Sequence, residues 1–196
     1  MASAPLSHRS LARSLIERSR NERSRNEREA EMSKLIAFII APQNSLKDIW
    51  ISELSRYFGD FEHKGKFFPF NKTTYYNQEM GENLYRCVVS FKGLIEPENI
   101  GAYKKKAIEL ENSLKNENGG RTLNIDIGYM DFDKIVLPST KKGPFKLYAG
   151  DGIWLDMVLT YAKGDFKPTE WAFADFRENP YRKDLLLVRE RFKNFL

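Results

Sequence analysis

Asp126, Asp131, Asp133, Asp151 and Asp156 fall close together in the chain, interleaved with Lys134, Lys141 and Lys146 and with the hydroxyls of Ser139 and Thr140. Carboxylate oxygens suit a hard cation such as Mg²⁺, and amines and hydroxyls suit phosphate oxygens. The chemistry such a set could do is to hold a phosphorylated small molecule or nucleotide, with Mg²⁺ between carboxylates and phosphate. Asp126 and Asp156 are the candidate metal ligands. The candidate ligand-binding groups are Asn124, Ser139, Thr140, Lys141 and Lys146, joined by Tyr75 and Glu79 from the polar stretch TTYYNQEMG. Arg121 could clamp a phosphate with two parallel hydrogen bonds. The plain alternative stays open: strands alternate, and charges at outward positions are commonly solvated pairs.

Asp126 stands apart from the other acids. In Asn124-Ile125-Asp126-Ile127 polar and apolar residues alternate, so Asn124 and Asp126 share a face. Gly128 follows, which signals a bulge or a close backbone approach. The known phosphate loops are absent. Between Gly59 and Gly65-Lys66 stand five residues where the phosphate loop needs four, and Phe67 occupies the place of the magnesium-binding hydroxyl. Asn71-Lys72-Thr73-Thr74 lacks the Asp that would read guanine. With one cysteine, Cys87, and two histidines, His8 and His63, a His/Cys zinc site is nearly excluded. Cys87 lies in an apolar run with no basic neighbour in sequence and reads as a buried structural thiol.

The elements that must position these groups follow from the hydropathy pattern. Residues 35–40 are continuously apolar and β-rich, which predicts a central strand. A helix is expected from Ser45, with Asp48 completing a capping box, to Gly59. Strands are expected over 61–70 and 84–91, a helix from Pro97 to about Lys115, and a fourth strand over 123–129. Further strands follow at 135–137, 145–148 and 153–161. Asn179 and Pro180 read as cap and first residue of a last helix with Leu185, Val188, Phe192 and Leu196 on its stripe. Trp154 and Trp171 read as core or hairpin covers. The order is β-α-β twice, which predicts an α+β, ferredoxin-like βαββαβ sandwich with added C-terminal β-hairpins and a terminal helix.

The chain has 196 residues, 41% hydrophobic, enough for one core. Residues 1–32 are Ser-, Arg-, Asn- and Glu-rich with a tandem SRNER repeat, so a disordered polar arm is expected there, before a single domain over 33–196. The formal charge of +5 is spread out and interleaved with acids, so nucleic acid is not indicated. Mean hydropathy is −0.55, and no apolar run nears the ~18–20 residues of a membrane helix. A lone cysteine points to the cytoplasm.

The stretches YYNQEMG (75–81), NIDIGYM (124–130), VLPSTK (136–141), GDGIWLDMVL (150–159) and EWAFADFR (170–177) resemble an uncharacterised bacterial and archaeal domain-of-unknown-function family. Its members are small and often carry the label "GTP-binding protein" in genomes. The family pattern Asn-x-Asp-Pro-Gly-Tyr is matched at Asn124, Asp126, Gly128 and Tyr129, while Ile127 departs from it. A His-Arg pair of the family is replaced by Phe145-Lys146, and a Glu by Asp156. Asp131 and Asp133 stand where the family is uncharged, which lowers them as site candidates. The resemblance implies no established activity. Two function classes therefore stand. One is a phosphate-ligand binder or Mg²⁺-dependent enzyme, whose site residues must converge in one pocket. The other is a non-enzymatic module that binds protein or RNA through its sheet or an edge strand.

Overall fold

β1 (Lys34–Ala41) is buried at every position, because the sheet is covered on both faces where it runs. The computed structural model describes residues 31–43 and 45–195. The expected disordered arm, except for its last two residues, and Leu196 lie outside the described residues. Following β1 come α1 (Asp48–Phe58), β2 (Phe61–Lys64), β3 (Phe68–Pro69), the short α2 (Asn77–Met80) and β4 (Tyr85–Phe91). A 3₁₀ turn over Pro97–Asn99 leads into α3 (Ile100–Ser113), then β5 (Asn124–Met130) and β6 (Lys134–Ser139). The chain ends with β7 (Leu147–Gly150), β8 (Ile153–Ala162), β9 (Asp165–Pro168), α4 (Ala174–Glu178) and α5 (Arg182–Lys193).

The protein is α+β. Its sheet runs β2-β4-β1-β5-β6-β8-β7, with β3 also on β4 and β9 also on β8, and the strand pairs are antiparallel. Alternation along β1 sorts the core. Leu35, Ala37, Ile39 and Ala41 pack with Trp50, Leu54 and Phe58 of α1 and with Ile100, Ala107 and Leu110 of α3. Ile36 and Phe38 face the other way, onto Phe176 of α4 and Leu185 and Val188 of α5. Each such buried side chain stabilises by about 1.5–3 kcal/mol through lost apolar surface.

Several expectations are corrected. The strand expected over 61–70 is two short strands on β4, and between them the backbone at Gly65 runs so close to β4 that a Cβ there would lie 2.7 Å from the Val88 carbonyl oxygen. The capping box does not form: α1 starts at Asp48 with extended Lys47 before it, and no side chain caps it. The connection after Thr73 holds α2, which buries Met80. Asn179 and Pro180 do not begin the last helix. Asn179 is left-handed (φ 44°) and closes α4, donating its N–H to the Asp175 carbonyl, since Asn tolerates that conformation. Tyr181 then precedes α5. β9 and α4 were not anticipated: β9 is short, and α4 is one turn set by packing Phe176 under β1.

Candidate functional site

The site arises where one hairpin opens. β5 and β6 pair only at Tyr129↔Val136 and Met130↔Ile135. Gly128 marks the limit of contact, for a Cβ there would lie 2.4 Å from the Val136 carbonyl oxygen and 2.5 Å from Leu137. Beyond it β5 has no strand partner on that side among the described residues. The Ile125 N–H instead donates to Glu111 Oε1 (2.6 Å), and the Ile125 carbonyl accepts from Lys104 Nζ (3.4 Å), both on α3. A cavity of about 750 Å³ is lined by the parted elements, a size suited to a small-molecule ligand.

Eight of the nine sequence-predicted site residues line this one cavity: Asn124 and Asp126 from β5, Ser139 from β6, Thr140, Lys141 and Lys146 from the following loop, Asp156 from β8, and Tyr75 from the turn before α2. Glu79 is the exception. It stands behind the wall and grips Arg121, a lining residue, through Nε (2.7 Å) and Nη2 (2.6 Å). That hydrogen-bonded clamp holds the Glu79 carboxyl below its ordinary range. Asp131, Asp133 and Asp151 are outside the cavity. Asp131 accepts the Asp133 and Lys134 N–H groups in the β5–β6 turn, and Asp151 pairs with Lys105.

The buried wall is built of paired charges. Arg86, 2% exposed, donates from Nη1 to Asp175 Oδ2 (2.5 Å) and from Nη2 to Asp126 Oδ2 (2.6 Å). Its guanidinium lies against the rings of Phe38, Phe70 and Phe176. Burial works against its charge, but Asp175 and Asp126 outweigh that, and its pKa is raised. Tyr181 also donates to Asp175 Oδ2, at 3.0 Å. Arg121 donates from Nη1 to Asn124 Oδ1 (2.8 Å) and lies 3.6 Å from Glu111 Oε2. Lys146 Nζ lies 3.6 Å from Asp156 Oδ2.

The open end is different. Lys141 and Lys142 are exposed and have no carboxylate within ion-pair distance among the described residues; half-buried Lys104 also has none, but its Nζ lies at the Ile125 carbonyl, beside Asn124. Lys141 Nζ donates to Tyr75 Oη at 2.6 Å, and this hydrogen bond pulls the phenol below its ordinary value. Ser139 Oγ accepts the Lys141 N–H at 3.0 Å, which fixes the loop. In all, the lining holds seven Lys and Arg against four Asp and Glu, so the cavity favours an anion.

The proposed Mg²⁺ pair, Asp126 and Asp156, has protein cations as partners in Arg86 and Lys146. Among the described residues no group of three or more His, Cys, Asp or Glu side chains is placed to share an ion. Mg²⁺ bound here would have to take most of its ligands from phosphate and water.

Glu111 gives a pH test. Burial pushes its carboxyl above the ordinary 4.5, so the native state holds a proton more tightly than the unfolded chain does. Stability from this group therefore falls as pH rises from about 4.5 through the folded pKa. Glu111→Gln keeps an acceptor for Ile125 and removes the titration. The stability of Glu111→Gln relative to the parent should rise between pH 5 and 7.5 in urea unfolding. A difference that stays flat or falls contradicts the assignment.

Sequence reasoning missed Arg86, Lys104, Glu111, Lys142 and Asp175. Arg86 carried a signal: it is the one charge inside the apolar strand LYRCVVSF, and a charge there needs a partner. Lys104, Glu111 and Asp175 had none in the local pattern, since only the tertiary fold brings α3 to β5 and α4 to Arg86 of β4. Trp171 is a cover: its indole N–H donates to the Met157 carbonyl and its ring stacks on Phe145 at 4.8 Å.

Among the described residues no helix is long and apolar enough to cross a membrane. A family model described as a domain of unknown function, DUF4416, matches residues 31–192. No curated protein and no solved structure matches the chain. The match gives no activity and lends nothing to the GTP-binding label.

Proposed function

Because the chain belongs to the DUF4416 family, whose function is unknown, its role must be argued from the cavity, and we propose that it binds a phosphorylated small molecule or nucleotide there. The observation that carries this is a pair of exposed lysines, Lys141 and Lys142, without carboxylate partners among the described residues, on the lining of a ligand-sized cavity. Lys141 and Lys142 are exposed, within reach of an entering anion, and half-buried Lys104 adds a third positive charge to the lining. Phe70, Tyr76 and Phe173 add apolar wall for the rest of the ligand. A cytoplasmic location accords with such a ligand. We further infer that β2-β4-β1-β5, with α1 and α3 on one face, is a ferredoxin-like unit; the central, wholly antiparallel placing of β1 and β4 supports it.

The test is thermal unfolding of the full chain against nucleotides, sugar phosphates and inorganic phosphate, each with and without Mg²⁺. A ligand of the native state at ~100 times its Kd adds about 2.7 kcal/mol. At this chain length that raises the midpoint by roughly 5–10 °C. A panel with no shift removes the proposal. A second reading, docking of a protein partner, rests on edge strand β7, where Leu147 is 75% and Tyr148 61% exposed. A flat panel together with partner capture that Leu147→Asp abolishes would favour it.

A further inference from the structure

We infer that the ligand is a phosphate ester of a polyhydroxyl compound, with its phosphate at the lysine end and its hydroxyl groups at the buried end, donating to Asp156 and accepting from Asn124. The inference rests on the phosphate-binding reading above and adds what the other end of the ligand must be.

The two ends of the cavity differ in the chemistry left over once internal pairs are made. At the open end the surplus is cationic. At the buried end stand Asp156, 6% exposed, Asn124, 4% exposed, and Asp126. Carboxylates accept hydrogen bonds only and repel a phosphate, so the phosphate belongs at the other end. Lys146 and Arg86 neutralise Asp156 and Asp126 without filling every lone pair. Asp156 Oδ1 is buried and has no hydrogen-bond partner among the described residues. Asn124 Oδ1 is taken by Arg121, which can only donate, so the orientation of the amide is fixed and Nδ2 is its donor side. That Nδ2 is also buried without a partner among the described residues.

Native proteins rarely leave buried polar atoms unpaired, and unpaired ones beside a cavity point to what fills it. Among the described wall residues Asp156 Oδ1 lacks a donor, while Asn124 Nδ2 and Arg86 Nε lack acceptors. An ammonium supplies only donors. A carboxylate supplies only acceptors and would meet Asp156 and Asp126 with like charge. A hydroxyl does both. A sugar ring carries several, and the apolar surface of Phe70 and Tyr76 suits its carbon face. Two sources share this chemistry, a free sugar phosphate and the ribose phosphate of a nucleotide.

Calorimetric titration of the full chain with methyl phosphate, glucose 6-phosphate, ribose 5-phosphate and AMP separates them. At least one hydroxylated ester should bind tenfold or more tighter than methyl phosphate. If AMP leads, the source is a nucleotide; if a sugar phosphate leads, it is a free sugar. In Asp156→Leu that margin should disappear, while methyl phosphate binds at least as well because Lys146 has lost its carboxylate. Asp156→Asn, which retains one acceptor oxygen, should keep part of the margin and serves if the leucine variant does not fold. A margin that survives both substitutions, or methyl phosphate binding as tightly as every ester, overturns the inference alone. Binding of none of the four phosphates overturns the phosphate reading itself.

Discussion

Arg86→Met should lower the stability of the protein by about 3–5 kcal/mol, the largest loss expected from any single change in the cavity wall. The guanidinium is 2% exposed and is the shared cation of Asp175 and Asp126. Methionine fills much of the space between Phe38, Phe70 and Phe176, so packing is only a minor part of the effect. What remains is two carboxylates facing an apolar wall, with Asp175 the more buried at 8% side-chain exposure. Stranding a buried charge costs far more than the intact pair contributes, since the pair has already given up its hydration. At this chain length the midpoint should fall by roughly 6–20 °C. The cause is checked by adding Asp175→Asn to Arg86→Met. If stranded charge is the source, the double variant recovers part of the loss, a coupling that urea unfolding reads directly. A loss below about 1 kcal/mol, or strict additivity of the two changes, would mean that the network is not what holds this wall.

Reversing the open end, in Lys141→Glu with Lys142→Glu, should weaken binding of any phosphate ligand by more than about 100-fold, or roughly 2.7 kcal/mol. Both lysines are exposed, and no ion pair among the described residues depends on either, so folding should be nearly unchanged. Two cations near the phosphate become two anions. Each close charge contact is worth on the order of 1 kcal/mol even in water, so the reversals together reach this size. Added salt should shrink the difference between parent and variant, because these charges are screened at about 8–10 Å. The check is titration of the tightest ligand of the panel at low and high ionic strength. An affinity that changes less than about threefold at low salt would place the phosphate elsewhere.

Within this molecule, β1 was legible because six consecutive apolar residues rich in β-formers need both faces covered, and the structure buries all eight residues of the strand. The helices over Asp48–Phe58 and Ile100–Ser113 were legible from helical spacing, and α+β from the order of elements. The alternation in Asn124-Ile125-Asp126-Ile127 put Asn124 and Asp126 on one face, where they line the cavity, while Ile125 and Ile127 face the helices. Gly128 signalled the close approach that Val136 makes. Element boundaries set by contacts were not legible. The close approach at Gly65 involves the Val88 carbonyl and Asp184 of α5, and α4 depends on Phe176 reaching Phe38.

Local pattern fixes period and face, since those depend on neighbours in the chain. It does not fix which charges pair, since that depends on groups far apart in sequence. Arg86 meets Asp126 and Asp175, Arg121 meets Glu79, and Lys141 meets Tyr75 only after β4, β5, α2 and α4 have packed. The residue types by themselves determined that acids, amines and hydroxyls would crowd the second half of the chain. Only the tertiary structure decided which charges are already neutralised within the wall and which lysines are left for a ligand.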